Sequence, residues 1–241
     1  MHGMKLRFLA LILIGTSHCT LANSLSKIAI DIGHSTASPG AISARGKSEF
    51  EFNVALARVL RQMLMSHQID SFLIGEDGKM LDLKQRTAKA DADSASLFLS
   101  IHHDSAQAKY LKQWRWQDKE LSYADNFSGF SLFVSRQNPQ LEKSLECARM
   151  IGKALKQFGF NPSSHHAEPI SGENRQWADK DFGVYYYDEL IVLKTAKIPA
   201  VLVEAGVIVN RDEEQNLQKD STKNRIASAI TQGVTSCMEL E

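Results

Sequence analysis

The chain has 241 residues, 43% of them hydrophobic and 23% charged, with 28 basic side chains against 28 acidic ones. This is the composition of a globular protein. A balanced charge leaves no basic footprint for nucleic acid or an anionic membrane surface, so neither is expected as a partner.

In chain order, Met1–Arg7 is basic, Phe8–Ile14 is a short apolar run and Gly15–Ala22 is small and polar. Thr20-Leu21-Ala22 fits a small-x-small cleavage site, so residues 1–22 read as an export signal and residues 23–241 as one domain. The apolar run is far shorter than the roughly 20 residues a membrane span needs, and stable membrane insertion is not expected. Export makes the protein periplasmic or secreted. Cys19 leaves with the signal, and the bulky His18 before it is unsuited to lipid attachment. Cys147 and Cys237 remain, both in predicted helices, and two ordinary buried thiols are expected there slightly ahead of a disulfide.

Strand-like apolar runs at 27–33, 70–75, 96–102, 129–135 and 199–205 alternate with helical patterns at 49–66, 82–92, 139–158, 186–196, 211–218 and 221–238. Ser48 before the first helix and Glu51 at its third position form a capping box. Val54, Leu56, Ala57, Leu60, Met63 and Leu64 give that helix one apolar stripe. The alternation predicts a single-domain layered α/β/α fold, with a mostly parallel twisted sheet flanked by helices. Two connections exceed the usual length, 104–128 with Trp114 and Trp116, and 160–184 with His165, His166, Glu168 and Trp177. Such segments are lids, binding walls or surface insertions.

His34 follows the first strand, His102 closes the third and Glu204 follows Ala200-Val201-Leu202-Val203, while Glu49 opens the first helix. Parallel strand ends converge on one crevice, so these four residues are placed to meet. Two imidazoles and two carboxylates there have the make-up of a three-ligand zinc site with an open position and a carboxylate base. Gly33 is expected to turn the backbone sharply and aim His34 into the crevice. Strand alternation puts Ser100 and His102 on one face and His103 on the other, which makes His102 the better ligand. Glu49 and Glu51 both sit in the first helical turn, where carboxylates also serve as caps, and the pattern alone leaves open which one binds. Glu204, in apolar surroundings, needs a charged neighbour, and burial would raise its pKa into the range of a general base.

Ile30-Asp31-Ile32-Gly33-His34, Pro39-Gly40-Ala41, Glu49 to Asn53, Ser100-Ile101-His102 and Val203-Glu204-Ala205-Gly206 occur in that order, with Leu83-Lys84-Gln85-Arg86 and Ile198-Pro199-Ala200 between them. This series resembles the zinc-dependent N-acetylmuramoyl-L-alanine amidases, cell-wall amidases of the family-3 type, over residues 27–235. The resemblance implies that His34, Glu49 and His102 bind one zinc ion and that Glu204 is the catalytic carboxylate. It also implies peptidoglycan or its muropeptides as substrate, cut between N-acetylmuramic acid and the L-alanine of the stem peptide. Gly206-Val207 and His103-Asp104 depart from the usual pattern without removing a ligand. Glu168 is a candidate to cover the open metal position. A zinc peptidase cutting within the stem peptide and a non-catalytic binding or activator module are the rival readings, and dependence on a protein activator is left open.

Overall fold

The computed structural model describes residues 26–79 and 82–238, and the expected export signal lies outside the described residues. Seven strands form the central sheet: β1 (Lys27–Ile32), β2 (Asp70–Ile74), β3 (Leu97–Asp104), β6 (Ser131–Val134), β7 (Trp177–Asp179), β8 (Val184–Tyr186) and β9 (Ala200–Val207). Two further strands, β4 (Lys112–Trp116) and β5 (Lys119–Tyr123), pair with each other as a separate antiparallel hairpin. The order across the sheet is β2-β1-β3-β9-β6-β8-β7. β1 runs parallel to β2 and β3, β3 to β9 and β6 to β8, whereas β6 opposes β9 and β7 opposes β8. The expected mostly parallel sheet is present, with its reversal at β9–β6.

The helices are α1 (Glu49–Ser66), α2 (Leu83–Ala92), α3 (Leu141–Gln157), α4 (Ile191–Thr195), α5 (Arg211–Gln218) and α6 (Asp220–Met238). Period-2 alternation in the strands builds two cores. Ile28, Ile30, Leu99, Ile101, Val201 and Val203 face α1, α3 and α6. Ala29, Phe98, Phe133, Ala200 and Leu202 face Ala90 of α2 and Val192 and Leu193 of α4. Sheet covered by helices on both faces is the expected three-layer architecture. Alternation continues into the polar ends of the strands. Asp31, Ser100, His102 and Glu204 therefore lie on the α2/α4 face, and His103 lies on the α1 face, against Phe52.

Three expectations are corrected. Of the helix expected at 186–196 only the five-residue α4 is helical, and Tyr186 instead ends the short strand β8. Tyr185 extends beside β6 and Tyr186 backs onto Arg136, while Asp188 receives Arg136 rather than starting a helix. The long 104–128 connection carries its own regular structure in the β4–β5 hairpin. There Trp114 and Trp116 stack at 5.3 Å and Trp114 donates to the Ala44 carbonyl. They pack over the Arg45 guanidinium and do not line the cleft. The two cysteines expected as thiols are joined as a disulfide between α3 and α6, with Cα atoms 4.9 Å apart. This separation is ordinary for a bridge, and tight α3–α6 packing, with Gly233 against the Ile151 backbone, brings the two helices that close.

Candidate active site

β1, β3 and β9 lie side by side and in parallel, so their carboxyl ends open on one cleft. The β3–β9 register sets His102 directly beside Glu204. Just past it the ladder shifts, so that Asp104 pairs with Val207. His34 leaves the end of β1, and Glu49 enters from the first turn of α1.

The carboxylate of Glu49 sits between the two imidazoles. His34 Nε2 is 3.0 Å from Oε2 and His102 Nδ1 is 3.0 Å from Oε1. Ala41 N also donates to Oε2, at 3.1 Å. Asn53 Nδ2 donates to Oε1, at 3.3 Å, and to the Gly33 carbonyl. Asn53 Oδ1 in turn meets His103 Nδ1 at 2.8 Å. His103 thus braces Glu49 through Asn53 and stays out of the cleft. Burial lowers its pKa to about 3, against the opposing pull of Glu49, so it is a neutral ring. Burial of Glu49 raises its pKa, but hydrogen bonds from His102 and His34 outweigh that and hold it well below the usual carboxylate range. Glu51 is the capping residue. It accepts from Ser48 N at 3.0 Å while Ser48 Oγ accepts from Glu51 N, completing the capping box.

Gly33 acts differently from the expectation. The left-handed residue is His34, at φ 70°. A Cβ on Gly33 would collide with the His102 ring, so glycine is required there for space. Gly40, at φ 77°, is needed for both reasons, because a Cβ there would meet Glu49 and come within 2.7 Å of the His34 ring. Arg86, fully buried in α2, holds the strained turn. It pairs with Asp31 at 2.7 Å and donates to the carbonyls of Ile32 and His34. Asp31 also accepts from Ser100 Oγ at 2.7 Å. The motif containing Leu83 to Arg86 therefore has a physical job, which is to fix the backbone of His34.

Glu204 lines the same cleft as His34 and His102, in a cavity of about 600 Å³. Its Oε2 is buried and has no hydrogen-bond partner. Burial, with the negative charges of Asp104 and Glu49 nearby, pushes its pKa well above the ordinary value. A carboxyl whose basicity is raised by burial, beside two imidazoles, is suited to exchanging protons with a molecule in the cleft.

Among the described residues, two groups bring three metal-type donors within 4.8 Å of one another: His34 with Glu49 and His102, and Asp104 with His165 and His166. The second group was missed in the sequence except as two histidines in a long connection. Asp104 Oδ2 lies 3.2 Å from His165 Nε2 and 2.8 Å from His166 Nε2, and His166 Nδ1 lies 2.9 Å from Glu173. Burial disfavours charge on His166, but Asp104 and Glu173 on either side raise its pKa to about 9. The charge of His166 is balanced by two carboxylates, while His165 Nε2 is buried without a hydrogen-bond partner. In the first group a single carboxylate is shared by both rings, and the neighbouring Glu204 oxygen is orphaned. Ligand atoms about 2 Å from a tetrahedral zinc stand roughly 3.3 Å apart, close to the contacts seen around Glu49. The first group fits a metal ion, and its two imidazoles line the cleft together with Glu204. Glu168 does not cover it, since its carboxylate accepts from Tyr110 Oη at 2.6 Å and does not line the cleft.

The fold and the cleft define a layered α/β domain with a metal-competent centre at the strand ends, and known proteins agree. Residues 28–236 match the family model described as N-acetylmuramoyl-L-alanine amidase, and the chain belongs to that family. The amidase AmiA of Escherichia coli K12 is 27% identical over 235 residues, covering 87% of this chain and 75% of its own length. The catalytic domain of CwlV, an amidase of Bacillus (Paenibacillus) polymyxa var. colistinus, superposes with a TM-score of 0.67 at 24% identity, covering 90% of this chain and 99% of that one. The CwlD amidase of Clostridioides difficile, solved in complex with the GerS lipoprotein, gives 0.67 at 22% identity over 90% of this chain and 100% of that one.

Proposed function

We propose that this amidase is a zinc enzyme in which His34, Glu49 and His102 hold the ion and Glu204 is the catalytic carboxylate. The observation that carries the reading is the meeting of His34 and His102 on one buried carboxylate, with Glu204 next to His102 across the strand pair. Zinc, when bound, would supply Lewis acidity, polarising the scissile carbonyl and acidifying water in the cleft. Glu204 accepts a proton from the attacking water and returns it to the nitrogen of L-alanine as the amide breaks. His103 and Asn53 hold Glu49 in place, and Arg86 holds His34. Leu190, Ile191 and Val192 form an apolar wall that excludes water from one side of the cleft.

Export of residues 23–241 after removal of 1–22 belongs to the same proposal. The Cys147–Cys237 bridge supports it, because disulfides persist in oxidising compartments. Among the described residues no helix is long and apolar enough to cross a membrane. The complex of CwlD with the GerS lipoprotein supports a protein partner for this enzyme as well. With Glu168 engaged by Tyr110, however, the isolated protein is expected to turn over by itself.

The test is Glu204→Gln. Activity on purified muropeptides, read as release of intact stem peptide with a free L-alanine amine, should fall about 10²–10⁴-fold while bound zinc stays at the wild-type level. An unaffected variant, or fragments cut within the stem peptide, would contradict the assignment.

A further inference from the structure

The wall of the cleft facing the strand ends is built by the segment between α3 and β7, and it is held in place from below. His166 bridges Asp104 and Glu173, and Gln107 Nε2 donates to the other Glu173 oxygen at 2.8 Å. Arg175 N donates to the His166 carbonyl at 2.7 Å, so the arginine backbone is tied directly to this buried hub. Its guanidinium lies 3.4 Å from the centre of the Tyr187 ring, and Nη2 reaches only the Gly172 carbonyl, at 3.3 Å.

The charges on this cleft are unequally matched. Arg86 is neutralised by Asp31, and His166 by two carboxylates. Arg175 lines the same cavity and has no carboxylate within ion-pair distance among the described residues. Stacking on an aromatic face fixes the plane of a guanidinium and leaves its edge donors free for a bidentate anion. A fixed cation without a counter-ion in a substrate cleft is suited to an anionic group of the substrate, and a carboxylate matches the guanidinium fork. The peptide released by this reaction carries such a group next to the scissile bond. The D-glutamate after L-alanine is linked through its side chain and keeps its α-carboxylate free, unless the wall is amidated.

We propose that Arg175, stacked on Tyr187, binds the free α-carboxylate of the stem peptide and makes the enzyme selective for non-amidated substrate. This rests on the amidase reading of the cleft. The experiment uses the purified zinc-loaded enzyme and two soluble muropeptides that differ only in carrying D-glutamate or D-isoglutamine after L-alanine. Wild-type enzyme should show the lower KM for the carboxylate peptide. In Arg175→Ala that KM should rise about 10–100-fold with kcat within about threefold, the size expected for losing a charged hydrogen-bonded pair. The carboxamide peptide should lose far less, so the preference collapses, and Arg175→Lys should restore part of it. Equal losses on both peptides would mean that Arg175 is only structural, and an unchanged preference would mean that the carboxylate is read elsewhere. Either result overturns the proposal. Wild-type enzyme inert on both peptides would overturn the amidase reading and this subsite with it.

Discussion

At the residue scale, the site depends on side chains that never touch substrate. Gly33 leaves room for the His102 ring, so Gly33→Ala is expected to displace that ring and weaken zinc binding about 10–100-fold. Circular dichroism should show the sheet and helices intact, and competition with a chelator reads the affinity. Unchanged zinc affinity would mean that His102 is free to move without loss. Arg86 answers to a different magnitude. Its pair with Asp31 is buried, and removing one partner strands the other charge. Arg86→Leu should therefore lower the unfolding free energy by about 3–5 kcal/mol in denaturant titration. Had Arg86 been a solvated charge, the loss would be nearer about 0.5 kcal/mol.

The elements show what sequence pattern can and cannot reveal. β1, β2, β3, β6 and β9 and the helices α1, α2, α3, α5 and α6 were legible from their apolar patterns, whereas the β4–β5 hairpin was not. β7 and β8, of three residues each, are too short to display a period, and they form because β6 offers its free edge to Tyr185. The disulfide was hidden for a related reason. Two cysteines on separate helices reveal their pairing only once α3 and α6 are packed. The bridge closes a sequence separation of 90 residues, and losing it should cost about 2–5 kcal/mol. A Cys147→Ser/Cys237→Ser variant, or wild type under reductant, should melt roughly 10 °C lower, at the 2–4 °C per kcal/mol usual for domains of this size. Coincident melting curves with and without reductant would show that the helices hold without it.

At the scale of the whole molecule, distant segments are joined through buried charge. His166 ties the 160–176 wall to β3, and its pKa of about 9 stands above the ordinary 6.5. The sign follows from linkage. This contribution is complete below about pH 6.5 and is lost as pH rises toward 9, with a ceiling of about 3 kcal/mol. Asp104, held below its ordinary value, contributes above about pH 4 and loses its part as pH falls further. Denaturant titrations at pH 6 and pH 9 should show wild type losing more stability across the interval than His166→Asn does. Equal losses in the two proteins would remove His166 from the account.

The site was legible in unequal parts. His34, His102 and Glu204 stand at strand ends, where chemistry collects, whereas the pattern left Glu49 and Glu51 open until the structure showed Glu51 completing the capping box. Asp104, Glu173 and Arg175 were not legible. Their meeting depends on how a long segment folds back over β3, and no local period records that.

The central claim is that a zinc ion sits among His34, Glu49 and His102. An anomalous difference map at the zinc edge, from crystals of the purified protein, tests it directly. The account predicts one strong peak about 2.0–2.2 Å from His34 Nε2, His102 Nδ1 and a Glu49 oxygen. No peak there, or a peak among Asp104, His165 and His166 instead, would contradict it.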